Sequence, residues 1–207
     1  MQNRTKRQAF LAALLLPLAF VVPLPAHAAP TQTVVLAGGC FWGMEAVFGA
    51  LRGVTSAVPG YAGGSKDTAH YELVSTGTTG HAESVRVTFD PSKITYEQIL
   101  DVYFRVAHDP TELNRQGPDD GTQYRSAIFV ANADQRQRAQ AVIARLTTAH
   151  VYAAPIVTKL ELLHGFYQAE PEHLKFVARH PDYPYVVIND LPKLAALHRT
   201  YPALVRS

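Results

Sequence analysis

The sequence predicts an α+β fold in which helices pack on one sheet, and three observations support this prediction. Short apolar runs rich in β-branched residues, which are typical of strands, recur along the chain. Longer segments with apolar residues three and four positions apart, as in amphipathic helices, separate these runs. Residues 29–207 show no repeat and no long block of charge, and their number suits one domain. The most economical layout is a two-layer sandwich with a mixed, largely antiparallel sheet and a ferredoxin-like core.

The elements of the first half follow from local patterns. Residues 33–37 (TVVLA) form a β-branched run that predicts a strand, and a helix is expected directly after Cys40. Residues 85–89 alternate at period two, which predicts a second strand. The glycine-rich stretch around that strand, 56–89, is expected to contain strand and loop. A helix is expected over 95–106 because its apolar residues lie on one face.

The second half alternates strands and helices after a polar loop. The loop is expected at 108–121, strands at 126–130 and 157–163, and helices at 134–147, 170–179 and 191–197. Pro171 would lie in the first turn of its helix, where the missing N–H needs no partner. The other residues after 183 give no clear pattern.

The first 28 residues are predicted to be a signal peptide. Arg4, Lys6 and Arg7 form a basic start, residues 9–22 are apolar apart from one proline, and residues 26–28 (AHA) resemble a cleavage site. We therefore expect an exported protein, periplasmic or secreted, whose single domain is 29–207. A retained anchor is the alternative, although the apolar run is short for a membrane span.

Charge excludes one class of partner. Loss of the three basic residues with the leader changes the formal net charge from +2 to about −1. Binding to nucleic acid requires a basic stripe or patch, which this sequence lacks. No nucleic-acid partner is therefore expected.

Cys40 is the single cysteine of the 207 residues, so no disulfide can form within the chain. A lone cysteine is more often a small buried apolar residue than a nucleophile. Here it lies in GGCFWG (residues 38–43), between a predicted strand and a predicted helix. Glycines beside the thiol are unusual for simple core filling. The N–H groups and dipole of the helix start favour an anion, so we expect a lowered thiol pKa and a reactive cysteine.

Four further motifs follow Cys40 in order. They are GYAGG (60–64), Tyr71 followed by GTTGHAE (77–83), HDP (108–110) with NRQG (114–117), and DDGTQYRS (119–126). GYAGG lacks the lysine and the spacing of a P-loop, so no phosphate site is expected. With GCFWG, these motifs resemble the peptide methionine sulfoxide reductases of the A type, which act on the S epimer of methionine sulfoxide. The resemblance covers residues 33–176 and implies a single catalytic domain that repairs proteins after oxidation.

The resemblance implies that Cys40 is the nucleophile and that Glu83 is the acid. A thiolate is a suitable soft nucleophile toward sulfur and would end as a sulfenic acid. A free glutamate is ionised at pH 7 and cannot donate a proton. Burial would therefore have to raise the pKa of Glu83. The alternative is a solvated carboxylate at a strand edge.

Five more residues take roles from the resemblance. The phenols of Tyr71 and Tyr124 match the groups that hold the sulfoxide oxygen, as in an oxyanion hole. Phe41 and Trp42 match the apolar cradle of the S-methyl group, and Asp119 matches a carboxylate that supports the site from behind. The alternatives are ordinary half-buried tyrosines, core aromatics at a helix start, and an aspartate in a surface turn.

No cofactor or metal is expected. Five of the nine histidines are candidates for a metal set, but they lack the paired spacing with cysteine of a zinc site. They are His81, His108, His164, His173 and His180. His81 is expected to pack or to form hydrogen bonds within its motif. Many relatives carry further cysteines that attack the sulfenic acid, whereas none follows Cys40 here.

An outside thiol must therefore restore Cys40, either a small thiol or a thioredoxin-like or glutaredoxin-like protein. Oxidised proteins or peptides are the expected substrates, with free methionine sulfoxide as a further candidate. Nothing in the sequence demands more than a monomer.

Two other functions compete with this reductase. A one-cysteine thiol peroxidase would also form a sulfenic acid, and it would depend little on Glu83. A redox-sensing module would bind oxidised methionine without turning it over, and it would tolerate Cys40→Ser in ligand binding. Activity on resolved epimers separates these alternatives.

Overall fold

The computed structural model describes residues 30–206, so the predicted signal peptide lies outside the described residues. The strands are β1 (Gln32–Ala37), β2 (Val54–Ala62), β3 (Ala82–Phe89), β4 (Arg115–Gln116), β5 (Asp119–Asp120), β6 (Ala127–Val130), β7 (Lys159–Leu162) and β8 (Phe166–Gln168). The helices are α1 (Phe41–Gly49), α2 (Tyr71–Val74), α3 (Tyr96–Val102), α4 (Ala133–Thr148), α5 (Phe176–Arg179) and α6 (Leu191–Thr200). No helix within residues 30–206 has the length and apolar character needed to cross a membrane.

Six strands form the main sheet in the order β7-β6-β1-β3-β2-β8, while β4 and β5 form a separate hairpin. Every pairing in the main sheet is antiparallel except the parallel pair β6 and β7. The four strands β6-β1-β3-β2, with α1 after β1 and α3 after β3, have the split β-α-β arrangement of ferredoxin-like folds. The predicted fold class is confirmed.

The period-two pattern of β1 sends its side chains to two different faces of the sheet. Val34 and Leu36 are buried in the main core with the helices, together with side chains such as Phe48 of α1. Val35 and Ala37 are buried in a smaller cluster on the opposite face. Both faces of this strand are therefore covered, which explains its continuous apolar sequence.

Side-chain caps fix where two helices begin. The Oγ1 atom of Thr95 accepts the Gln98 N–H at 3.1 Å, and the Gln98 side chain accepts the Thr95 N–H at 2.9 Å. This reciprocal capping box starts α3. Asn132 caps α4 by accepting the Gln135 N–H at 2.9 Å. The predicted 95–106 helix continues beyond α3 as a π turn over Tyr103–Ala107.

The structure corrects three sequence expectations. Residues 170–179 do not form one helix, because Lys175 has a φ of 54° and separates the 3₁₀ turn Pro171–His173 from α5. The loop expected at 108–121 contains the β4-β5 hairpin, whose four residues are too few to give a periodic pattern. The nine-residue β2 contains Pro59 and Gly60, both weak strand signals, which hid its full length.

Candidate active site

The turn between β1 and α1 places Cys40 at the N-terminal end of the helix. Gly39 has a φ of +88°, which only glycine adopts readily, and its N–H donates to the Tyr124 carbonyl at 3.1 Å. Cys40 is the N-cap residue of α1 and is 7% exposed. The strand-turn-helix geometry expected around this thiol is confirmed.

One cavity of about 180 Å³ opens beside this thiol. Its lining contains all seven residues singled out from the sequence, together with two tyrosines that the sequence did not indicate. The lining residues are Cys40, Phe41, Trp42, Tyr71, Glu83, Asp119, Tyr124, Tyr183 and Tyr185. Residues that are up to 84 positions apart in the predicted set (Cys40 to Tyr124) thus meet in one place.

Glu83 lies on β3 with its carboxyl group almost completely buried, at 3% exposure. Its Oε2 atom accepts the Phe41 N–H of the α1 first turn at 3.0 Å. Burial raises its pKa to about 8; the Phe41 hydrogen bond opposes this shift and the Asp119 charge adds to it. The carboxyl group is therefore mainly protonated at neutral pH and can donate a proton.

The expected lowering of the Cys40 pKa is wrong. Burial raises the pKa of this thiol well above its ordinary value, and the charge of Glu83 adds to the rise. The Trp42 N–H at the helix start lowers the pKa, as expected of such a position, but it does not outweigh these effects. When Glu83 is neutral, its charge no longer raises the pKa of the thiol. The protonation states of Cys40 and Glu83 are therefore linked.

The two phenols at the cavity stay protonated. Burial raises the pKa of Tyr71, and Glu83 adds to the rise. Burial likewise raises the pKa of Tyr124, with further contributions from Glu83 and Asp119. The Tyr71 N–H donates to Oε1 of Glu170 at 2.9 Å, which anchors the start of α2. Both side chains therefore present O–H donors at the cavity.

An aromatic stack fixes the apolar wall. The Trp42 ring lies 3.7 Å from the Phe176 ring at an interplanar angle of 7°. Its Nε1–H donates to Nδ1 of His173 at 3.1 Å. Phe41 is fully buried and its ring centroid lies 5.2 Å from that of His173. The indole is held by groups from the 3₁₀ turn and α5, which no local sequence pattern linked to it.

The C-terminal segment supplies the two tyrosines that the sequence did not indicate. The Tyr185 O–H donates to Oδ2 of Asp119, so this carboxylate is fixed by a residue 66 positions away. Burial raises the pKa of Asp119, and the Tyr185 hydrogen bond lowers it. The edge of the Tyr183 ring faces Trp42, with a centroid separation of 6.2 Å. The aspartate thus lines the cavity itself and is more than a remote support.

Gly43, in the first turn of α1, lies directly against Asp190 from the C-terminal segment. A Cβ atom at Gly43 would lie 2.2 Å from Oδ1 of Asp190, and that aspartate is fully buried. A Cβ atom at Gly49 of the same helix would meet nothing within 4 Å. The two glycines therefore provide a matched pair for testing this contact.

Gly43→Ala is expected to lower both thermal stability and turnover, because Asp190 and the segment that carries Tyr185 must move. Overpacking of this kind typically costs about 1–3 kcal/mol. Gly49→Ala is expected to be neutral or to stabilise by up to about 1 kcal/mol, since alanine favours helix. Thermal melts and steady-state assays of both variants test the contact. Equal behaviour of the two variants would show that Asp190 does not press on the helix.

Two histidines have structural partners. Nε2 of His81 lies 2.9 Å from the Ser65 carbonyl and its Nδ1 accepts the Gly64 N–H, which agrees with the expected hydrogen-bonding role. His108 is buried between the Tyr103 carbonyl and the Ser126 hydroxyl, and burial lowers its pKa to about 4. Among residues 30–206, no three His, Cys, Asp or Glu side chains are grouped as a metal site requires.

Comparison with protein families and curated sequences gives a consistent result. The family model described as peptide methionine sulfoxide reductase matches residues 32–203. Peptide methionine sulfoxide reductase MsrA 2 of Mesorhizobium japonicum is 58% identical over 178 residues, covering 86% of this chain and 91% of the relative. A relative of the same name from Synechocystis is 45% identical, covering 89% of this chain and 86% of its own length.

Solved structures agree with the sequence comparison. Reduced Mxr1 from Saccharomyces cerevisiae is 31% identical with a TM-score of 0.69, covering 74% of this chain and 87% of that one. Methionine sulfoxide reductase A of Corynebacterium diphtheriae is 37% identical with a TM-score of 0.64, covering 73% of this chain and 76% of its own. This chain therefore belongs to the A type of the peptide methionine sulfoxide reductase family and is an oxidoreductase that reduces methionine sulfoxide.

Proposed function

We propose that Cys40 reduces methionine-S-sulfoxide by taking its oxygen, with Glu83 as the proton donor. The observation that carries this proposal is the meeting of a thiol and a neutral carboxyl group in one small cavity. Other arrangements of the same residues, such as a solvated Glu83, would provide no acid at neutral pH.

The proposed step is balanced within the site. The Cys40 sulfur attacks the sulfoxide sulfur and forms an S–S bond. The oxygen then moves to the Cys40 sulfur while this S–S bond and the S–O bond of the substrate break, so the methionine sulfur leaves with two more electrons and Cys40 becomes a sulfenic acid. Glu83 gives its proton to the sulfoxide oxygen as the S–O bond of the substrate breaks, and it regains the proton that Cys40 loses. The products are methionine and Cys40 sulfenic acid.

The Tyr71 and Tyr124 phenols stabilise the negative charge that develops on the sulfoxide oxygen. Two protonated donors in the lining of one small cavity act as an oxyanion hole does. Tyr71→Phe and Tyr124→Phe are each expected to lower kcat by about 100- to 1000-fold, and the double variant by more. Tyr201→Phe, a residue outside the cavity lining, is the matched control. Steady-state kinetics in which KM rises and kcat is unchanged would show that the phenols only bind substrate.

Phe41 and Trp42 provide the apolar wall that receives the S-methyl group. Burial of one methyl group contributes only about 1 kcal/mol. The larger effect of the apolar wall is to fix which face of the sulfur meets Cys40. The wall can do this because Phe176 and His173 hold the indole in place. We therefore propose that only the S epimer is turned over.

An outside thiol completes the cycle. A first thiol attacks the sulfenic sulfur, releases water and forms a mixed disulfide, and a second thiol reduces that disulfide and frees Cys40. Yeast Mxr1, one of the structural relatives, has also been solved in complex with Trx2. We propose that a thioredoxin-like protein is also the reductant of this chain. Glutaredoxin-like proteins and small thiols are the other candidates.

The direct test uses resolved epimers of N-acetyl-methionine sulfoxide with dithiothreitol. We expect methionine to form from the S epimer alone. Equal use of both epimers would contradict the role of the apolar wall. Hydrogen peroxide is the control substrate, because faster consumption of peroxide than of either sulfoxide would indicate a thiol peroxidase.

Export and a monomeric state are also proposed. The basic start, the apolar stretch and the AHA sequence at 26–28 support removal of a signal peptide and a periplasmic or secreted enzyme. The mass of the exported protein tests this, since cleavage after residue 28 leaves a chain that begins at Ala29. Size-exclusion chromatography with light scattering tests the monomer.

A further inference from the structure

An apolar surface adjoins the cavity mouth. Seven large apolar side chains of the described residues are strongly exposed, and four of them lie within residues 183–191. These four form what we call the apolar patch, which consists of Tyr183, Val187, Ile188 and Leu191. Their exposed fractions are 48%, 47%, 70% and 37% respectively. Such clustering at a site, unlike scattered exposed apolar residues, indicates a binding surface.

The patch residues after Tyr183 lie on a continuous helical backbone that begins at Pro184. The Val187 N–H donates to the Tyr183 carbonyl at 3.0 Å, and a π turn over Val186–Asp190 leads directly into α6. Tyr183, Val187 and Leu191 follow one another at intervals of four residues, which places them near one face. The eight residue steps from Tyr183 to Leu191 span at most about 12 Å at the α-helical rise, so the patch is an elongated strip.

Tyr183 belongs to both the patch and the cavity. Its ring lines the cavity with Trp42, and its other neighbour is the Phe176 ring at 5.4 Å in an edge-on arrangement. The strip therefore starts at the cavity mouth and runs away from it along the helix. Any chain that inserts a side chain into the cavity must pass close to Tyr183.

We propose that the apolar patch binds the substrate polypeptide beside its oxidised methionine, so that the enzyme prefers segments with apolar neighbours. This inference rests on the proposed function of the cavity. A volume of about 180 Å³ admits one side chain, so the backbone of a bound protein stays outside at the mouth. About four extended residues cover the 12 Å of the patch.

The chemistry of damaged proteins fits this occupant. Methionine is mostly a residue of cores and apolar interfaces, so the residues two, three or four positions away that share its face of a strand or helix are often apolar too. Oxidation to the sulfoxide disrupts such packing and exposes those neighbours. The four patch residues carry no charged group and would bury such side chains without loss of solvated charge. A small thiol reductant, in contrast, makes no use of a 12 Å apolar strip.

The test compares three substrates with dithiothreitol as the reductant. They are N-acetyl-methionine-S-sulfoxide, a peptide with the same residue between leucines and valines, and a peptide with serines in their place. The variant is Val187→Gln with Ile188→Gln, which leaves the cavity residue Tyr183 intact. Leu162→Gln, at an exposed leucine of edge strand β7 outside the cavity lining, is the matched control.

We expect the wild type to prefer the apolar peptide and the double variant to raise KM for that peptide about five- to tenfold. In the double variant, KM for the other two substrates should change less than about twofold. Leu162→Gln should leave KM for all three substrates unchanged. An equal loss on all three substrates, or no loss on any, would overturn the proposal. A parallel assay replaces dithiothreitol with thioredoxin, and a rise confined to the KM for thioredoxin would also overturn the proposal, because it would assign the patch to the reductant. A wild type inactive on N-acetyl-methionine-S-sulfoxide would instead refute the proposed function.

Discussion

Cys40→Ser is expected to abolish reduction of methionine sulfoxide, whichever thiol is supplied. The serine oxygen is a hard and protonated group that does not attack the sulfoxide sulfur, and no second cysteine can replace the thiol. Loss of a covalent nucleophile commonly lowers turnover by about 10⁴-fold or more. The measurement is methionine release from the S epimer, followed with dithiothreitol and then with thioredoxin.

The control for this variant is a thermal melt, which shows whether the protein is still folded. Serine differs from cysteine by one atom at a position that is 7% exposed, so the thermal midpoint should change little. A folded variant that still binds a sulfoxide peptide but does not reduce it would match the account. Retention of more than a small fraction of the wild-type rate would show that the oxygen is transferred elsewhere.

Glu83→Gln is expected to lower the rate of the chemical step by about 10²- to 10⁴-fold, the usual contribution of a general acid. Glutamine keeps the size of the side chain and its hydrogen-bonding capacity but has no proton to give at neutral pH. Glu83→Asp is the matched control, since it keeps an acid and shortens the side chain by one carbon. It should retain more activity than Glu83→Gln.

The pH dependence distinguishes an acid from a merely structural residue. Because the pKa of Glu83 is about 8, its proton is present below that pH and is lost as pH rises through it. Single-turnover methionine release by the wild type should therefore fall above about pH 8. Glu83→Gln should lack this fall. Single turnover avoids the titration of added thiols, and a fall that persists in Glu83→Gln would assign it to another group.

The ionisation of Glu83 should also make the stability of the folded protein depend on pH, and the direction of this dependence is fixed. The folded-state pKa of Glu83 is about 8, above its value of about 4.3 in an unfolded chain. The native state therefore holds its proton more tightly, and wild-type stability is lost as pH rises through this window. Glu83→Gln should unfold at a higher temperature than the wild type near pH 9, and the difference should shrink toward pH 5. The full effect is on the order of a few kcal/mol.

Local patterns predicted much of the fold and the centre of the site. The strand before Cys40, the glycine turn and the helix after it depend on neighbouring residues, so they were visible in the sequence. The role of Glu83 came from the family resemblance, whereas its burial depends on the pairing of β3 with β1 and β2 on its two sides, which the sequence did not show. Tyr71 and Tyr124 were singled out from ten tyrosines by the family resemblance, through the motifs in which they lie.

The C-terminal part of the site could not be predicted in this way. Tyr183 and Tyr185 line the cavity and His173 holds Trp42, each through packing across more than 100 residues of sequence from Cys40, and short-range periodicity contains no such information. The prediction of a lowered thiol pKa was wrong for a related reason. The helix start is a local feature, whereas the burial and the carboxylates that oppose it are supplied by the rest of the fold.

The most direct measurement is a single turnover of the wild-type enzyme without any thiol, analysed by mass spectrometry after trapping with dimedone. One methionine should form per enzyme molecule from the S epimer, and the dimedone adduct of a sulfenic acid should appear on Cys40 alone. The R epimer should give neither product. Continued turnover without a thiol, or methionine release that leaves Cys40 unmodified, would contradict transfer of the oxygen to this sulfur.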